Sequence, residues 1–180
     1  MTHRAQSAGI IAAIVLVDRI TKIYIRVRVS PWDVIPVIPG VFNIVHTENP
    51  GAAFGFFSES HSEWTGILLI GVSIAVMAII GAMLFRRGRM GTAESTLMRL
   101  GFALVFGGAL GNLVDRLFRG TVTDFLQVFI GSYEFPSFNA ADSAITIGAI
   151  LLLLDLWNMR SKEPAARSQE PESGQRTSSV

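Results

Sequence analysis

Trp64 to Phe85 reads WTGILLIGVSIAVMAIIGAMLF, 22 residues without one Asp, Glu, Lys or Arg. A helix needs about 20 apolar residues to cross roughly 30 Å of hydrocarbon, so this stretch is expected to span a bilayer. The rest of the chain agrees: half its residues are hydrophobic, the mean hydropathy is +0.46 and 16% of residues are charged, against roughly 25% in a soluble domain. Three more apolar segments flank it. One runs over about residues 5 to 26, although Asp18, Arg19 and Lys22 interrupt it; a second begins near Ala93 and ends at Asp115 and Arg116; a third runs from Asn139 to about Trp157. The expected fold is an all-α polytopic membrane protein of four transmembrane helices, residues 1–160 forming one unit. A small extracytoplasmic β-sheet or cradle is expected in the outer loop 29–63, with an interfacial, re-entering loop over 115–138. Residues 161–180, rich in Ser, Glu, Pro and Arg without an apolar run, read as a disordered cytoplasmic tail.

Charge sets the orientation. Arg4, the group Arg86, Arg87, Arg89 and Arg99, and Arg160 with Lys162 fall on one side of four spans, whereas Val29 to Glu63 holds no Lys or Arg. Cytoplasmic segments concentrate Lys and Arg, so both termini are expected in the cytoplasm. The first segment lacks a small-residue cleavage site and reads as an uncleaved span. With no cysteine, disulfides, thiol catalysis and thiolate metal sites are excluded. In the outer loop, Val34 to Val45 alternates β-branched residues with Pro36, Pro39 and Gly40, which predicts two short strands about a turn.

Asp124 and Asp142 carry the first clue to chemistry. Carboxylates at membrane depth are costly unless they meet water, a partner or a substrate, and so mark functional candidates. Two close carboxyls can share one proton, one serving as base and the other as acid. The plainer reading of Asp142 is a first-turn helix acid, and of Asp124 an interfacial turn residue; topology placing both at the outer end favours the pair. Asn49, before Pro50-Gly51, has a short amide suited to holding a peptide or orienting a carboxylate. In Gly107 to Arg116, Gly107 and Gly111 have small-xxx-small spacing for close helix packing, and Asn112, Asp115 and Arg116 can share a helical face. Asp115 with Arg116 reads as an ion pair or helix-end anchor. Asp18 and Lys22, four apart, read as a tie between the first helix and its neighbours. The three histidines make no metal-ligand pattern, H-E-x-x-H is missing, and G-x-S-x-G is missing; neither a metal nor another cofactor is expected. A membrane transporter or channel subunit with an aspartate proton relay is the alternative class.

Five ordered motifs, Asp18-Arg19-Ile20-Thr21-Lys22, Asn49-Pro50-Gly51-Ala52-Ala53-Phe54-Gly55, Gly111-Asn112-Leu113-Val114-Asp115-Arg116, Val122-Thr123-Asp124-Phe125 and Phe138-Asn139-Ala140-Ala141-Asp142-Ser143, resemble those of the bacterial lipoprotein signal peptidases, or type II signal peptidases, over about residues 8 to 158. The resemblance implies a membrane aspartyl endopeptidase that cuts diacylglyceryl-modified prolipoproteins just before the lipidated cysteine. It implies Asp124 and Asp142 as the catalytic pair, Asn112, Arg116 and Asn139 as polar support, Asn49 and Gly51 as substrate contacts, and Asp115 as a structural acid. Arg19 departs from the usual Gln of the first motif. The partners implied are the prolipoprotein, membrane lipids and globomycin-type cyclic peptides; a monomer in the bacterial inner membrane, with its site on the extracytoplasmic face and no nucleic-acid partner, is expected.

Overall fold

The computed structural model describes residues 3–51, 63–85 and 95–167. Ala52 to Gly55 of the outer-loop motif, the Arg86, Arg87 and Arg89 group and residues 168–180 of the expected tail lie outside them. Four helices, α1 (His3–Arg28), α2 (Glu63–Phe85), α3 (Thr96–Arg119) and α4 (Ala140–Arg167), are joined with four strands, β1 (Val34–Ile38), β2 (Phe42–Asn49), β3 (Val122–Ile130) and β4 (Tyr133–Phe138).

Among the described residues, three helical stretches have the length and composition to cross a membrane: Gly66–Leu84, Thr96–Arg119 and Ala140–Met159, with mean hydropathies of 2.8, 1.6 and 1.7. On α2, Ile67, Leu68, Val72 and Ile79 are all more than half exposed, which suits a helix whose outer surface meets lipid rather than water. The 26 residues of α1 are long enough, but Asp18, Arg19, Lys22, Arg26 and Arg28 keep it out of that group. Its charges are not spread round the helix: Asp18 and Lys22 are fully buried, one turn apart on the face turned to α3.

Glycines set the helix spacing. A Cβ on Gly107 would meet Ile14 Cβ at 3.0 Å, and one on Gly111 would meet Asp18 Oδ2 at 2.7 Å, so the Gly107/Gly111 spacing read from the sequence serves the α1–α3 contact. Across α3 and α4, a Cβ on Gly101 would meet the Gly148 carbonyl oxygen at 2.9 Å, and one on Gly148 the Gly101 oxygen at 2.7 Å. Ser95 caps the start of α3 by accepting the Met98 N–H, and Gly120, with φ of 76°, closes its end with an N–H to the Arg116 carbonyl.

The expected pair of strands is present, but the sheet has four, in antiparallel order β1-β2-β3-β4. The segment 115–138, expected as a re-entering loop, is the last turn of α3 followed by a β-hairpin. Its physical basis is Val, Thr, Phe and Ile residues before Gly131-Ser132 and Tyr133, Phe135 and Phe138 after it, with Gly131 at φ of 63° as a two-residue hairpin turn requires. Phe125 of β3 is buried with Ile25 and Val29 at the end of α1, and Ile44 and Ala140 pack on them; this seats the sheet on the helix bundle. At the other end α4 runs to Arg167, past the boundary at 160 expected from composition.

Gly148→Val should push α4 from α3 and lower stability by about 1–3 kcal/mol, seen as a lower unfolding temperature in detergent. Gly9→Ala, where no atom lies within 4 Å of the added Cβ, should unfold at or slightly above the parent temperature, since alanine is the better helix former.

Candidate functional site

A buried lysine organises the polar centre. Lys22 Nζ lies 2.9 Å from Asp18 Oδ2 and 2.8 Å from Asp115 Oδ2, and donates to Asn112 Oδ1 at 2.8 Å. An ammonium is donor-only: it makes one hydrogen bond, to Asn112, and two close ion pairs, to Asp18 and Asp115. Arg19 pairs with Asp115 and Arg26 Nη1 lies 3.6 Å from Asp115 Oδ1. Asp115 therefore belongs to α1 and not to Arg116, correcting the ion pair expected from their adjacency: neighbours on a helix diverge by about 100°. Arg116 points the other way, into the cavity described below.

Because Lys22 takes the Asn112 oxygen, the amide must turn its NH2 outward, where it donates to Asp142 Oδ1 at 2.7 Å. Asn139, fully buried at the entry to α4, connects the two aspartates. Its Nδ2 donates to Asp124 Oδ1 at 2.7 Å, its backbone N–H to Asp142 Oδ2 at 3.2 Å, and its Oδ1 accepts the Asp142 N–H at 2.9 Å. Asp18 accepts the Ala141 N–H at 3.1 Å, so the acid of α1 also satisfies a free donor at the α4 start. On the other side Asn49 Nδ2 donates to Asp124 Oδ2 at 3.0 Å, while Asn49 Oδ1 accepts the Gly51 N–H at 2.9 Å. Gly51 has φ of 131°, a conformation side chains resist, which explains glycine there.

Asp124 and Asp142 face one cavity of about 750 Å³. Its polar wall also includes Asn49, Glu48 and Arg116; Leu69, Phe135, Phe138, Ile145 and Ile147 supply the apolar wall. Burial, followed by the charge of Asp142, pushes the Asp124 carboxyl up to about 6, against the donors Asn49 and Asn139 and the charge of Lys22.

Of the residues singled out from sequence, Asp124, Asp142, Asn49 and Arg116 line the cavity; Asn112 and Asn139 hydrogen-bond to the two aspartates, Gly51 bonds to Asn49, and Asp18, Lys22 and Asp115 form the ion cluster on Asn112. Sequence reasoning missed Glu48, Thr121 and Thr123. Glu48 accepts from Thr121 at 2.6 Å and Thr123 at 3.0 Å; although burial acts to raise it, these hydroxyls with His46 and Arg119 hold its carboxyl below the ordinary value. The alternation Thr121-Val122-Thr123 beside a lone acid was the available signal.

Lys22→Met should cost about 3–5 kcal/mol, because it leaves Asp18 and Asp115 short of a buried partner. Denaturant unfolding of the purified chain checks this; a loss below about 1 kcal/mol would contradict the buried cluster.

Comparison with known proteins follows the same residues. The family model described as Signal peptidase (SPase) II matches residues 10–158. The lipoprotein signal peptidase of Solibacter usitatus (strain Ellin6076) is 43% identical over 91% of this chain and 96% of its own, and that of Maridesulfovibrio salexigens is 40% identical over 83% and 94%. Two solved structures, each described as a bacterial membrane enzyme structure obtained by the in meso method, superpose with TM-scores of 0.76 and 0.73. They are 29% and 32% identical and cover 95% and 84% of the chain.

Proposed function

The chain belongs to the signal peptidase II family, and on that premise we propose that its Asp124 and Asp142 hydrolyse the prolipoprotein peptide bond that precedes the diacylglyceryl-modified cysteine. It is a multi-pass membrane peptidase of lipoprotein processing, which displaces the proton-relay transporter considered from the sequence. The observation that carries the assignment of the pair is Asn139: one residue holds Asp124 through its side chain and Asp142 through its backbone, on the wall of one cavity.

Asp124 enters the reaction as the proton donor and Asp142 acts as the base. Asp142 takes a proton from water as its oxygen bonds to the scissile carbonyl carbon, while Asp124 gives its proton to the carbonyl oxygen. Collapse of the tetrahedral intermediate returns that proton to Asp124 and passes the Asp142 proton to the leaving nitrogen as the C–N bond breaks. Arg116, on the same wall, balances the pair's negative charge. Asn49 and Gly51 shape the side of the cavity where the peptide lies, and the apolar wall receives its hydrophobic residues. No metal or other cofactor enters this scheme.

The reading extends to topology. Residues 1–160 form the membrane unit, and α1 is a fourth span whose charges are hidden against α3; both termini are cytoplasmic, and the pair lies at the extracytoplasmic face of the bacterial inner membrane. The basic residues Arg4, Arg99 and Arg160 at one end, and the sheet at the other, support this. Residues 161–180, into which α4 continues as far as Arg167, are the cytoplasmic tail and have no catalytic part. The protein acts as a monomer among membrane lipids, and globomycin-type cyclic peptides compete for the cavity. Because the chain has no cysteine, a single one at Ser132 or at Arg4 is a unique label. Impermeant reagent on intact cells should reach position 132 and not position 4; the reverse pattern would invert the topology.

Asp124→Asn and Asp142→Asn should each lower kcat at least about 10³-fold, since an amide cannot move a proton, while the protein remains folded in detergent. Asn112→Ala and Asn139→Ala, which remove orientation only, should lose less. Asp124 is the group with the raised value, so its proton is present below about pH 6 and lost above it. For the free enzyme kcat/KM should therefore fall as pH rises through an upper limb set by Asp124. Near-normal turnover by either Asn variant would end the carboxyl-pair assignment.

A further inference from the structure

We propose that Glu48 is a positioning residue for cleavage: its carboxylate gathers Thr121, Thr123, His46 and Arg119 behind the β2–β3 ladder and thereby keeps Asn49 on the Asp124 carboxyl. Alternation along a strand sends neighbours to opposite faces. Glu48 is paired in register with Thr123, and Thr47 with Asp124, so the Glu48 and Thr123 side chains leave the strands on the side opposite to that of Asp124, and Glu48 borders the cavity from there. Asn49, the next residue, returns to the Asp124 side and donates to Asp124 Oδ2. The backbone alone grips this corner weakly. The β2–β3 register is broken between Ile44 and Thr47, and β2 ends at Asn49; only Thr47, Glu48 and Asn49 are paired beyond the irregularity, with Glu48 in the middle.

Glu48 supplies what the ladder lacks. Its Oε2 accepts from Thr121 at 2.6 Å, its Oε1 from Thr123 at 3.0 Å, and Arg119 Nη2 lies 3.5 Å from Oε1. His46 Nδ1 donates to the Val29 carbonyl at 2.8 Å, so His46 Nε2, 3.2 Å from Glu48 Oε1, donates to it only as the imidazolium. The fully buried Thr123 also accepts from Arg26 Nη1 at 3.0 Å. One carboxylate therefore ties β2 to β3, to the end of α1 and to the end of α3. Such a convergence of donors needs an acceptor with two free oxygens; glutamine supplies one.

This inference rests on Asp124 as the proton carrier. The test is steady-state cleavage of diacylglyceryl prolipoprotein by the full chain in detergent, over a range of pH. Glu48→Ala should lower kcat by about 10- to 100-fold, the cost of a small misplacement, with KM nearly unchanged. It should also move the upper pH limb upward, because the Asn49 donor that favours ionised Asp124 is lost. Glu48→Gln should fall between the two. In an Asn49→Ala background Glu48→Ala should add nothing, since residues acting through one contact are not additive. Thr121→Val, a smaller disturbance for use if Glu48→Ala does not fold, should move the limb in the same direction, and Thr121→Ser should restore it. An unmoved limb in Thr121→Val, an unaltered kcat in folded Glu48→Ala, or losses that multiply with Asn49→Ala would each overturn the proposal. Those outcomes with inactive Asp124→Asn remove only the role of Glu48; active Asp124→Asn removes the carboxyl pair itself.

Discussion

The rest of the structure depends on the Lys22 ammonium, buried with one hydrogen bond to Asn112 and ion pairs to Asp18 and Asp115. An unpaired charge in that position would cost several kcal/mol, so Asp18, Asp115 and Asn112 must converge on it from α1 and α3. That requirement fixes the rotation of α1 against α3, and Gly111 lets the helices come close enough for it. It also has a directional consequence. A donor-only group on one side of Asn112 turns the amide so that the other side can only donate, and that side faces Asp142. Charge buried for packing thus sets the polarity of the site.

Asn139 meets a similar constraint from the opposite direction. It stands where the sheet ends and α4 begins, and the free N–H groups of a helix start need acceptors. Asp142 and Asp18 are those acceptors for the backbone of Asn139 and Ala141. The helix-capping role that Asp142 would have as an ordinary first-turn acid is therefore real, and it coexists with the role proposed in hydrolysis. One oxygen is held from each side while the carboxyl still faces the cavity. Asp124 has no helix to cap; burial raises its pKa against two side-chain amides, which suits the proton-carrying role proposed for it.

The sheet gives the site an outer wall without a soluble domain. Its strands satisfy one another's backbone groups, as chain near the hydrocarbon must, and its β1 edge leaves Val34, Ile35, Val37 and Ile38 exposed. Phe125 anchors it to the end of α1. A lipid-bearing substrate can approach from the bilayer with its acyl chains in lipid and its peptide at the polar end of the bundle, so a deep aqueous cleft is unnecessary.

The apolar runs, the basic residues at their ends and the two aspartates outside or at the edges of them were legible because hydropathy and charge placement act locally: the cost of exposing Trp64 to Phe85 to water, or of burying Asp124 alone, depends on the residue and its solvent. Val34 to Val45 was legible as strand for the same local reason, and the motif resemblance located the pair. The hairpin around Gly131-Ser132 was equally present in the pattern, yet a short apolar run beside a membrane span does not reveal whether a strand partner awaits it. Adjacency suggested a tie between Asp115 and Arg116, and only the packed helices showed them facing different neighbours. Glu48 looked like one acid among several in a loop until β2 met β3. By itself the sequence determined a membrane-embedded peptidase with two aspartates at one end, since those features follow from solvent preference and motif. Tertiary structure decided which donor faces each carboxylate oxygen, because hydrogen bonds and buried ion pairs depend on ångström-scale approaches between residues as many as 123 positions apart.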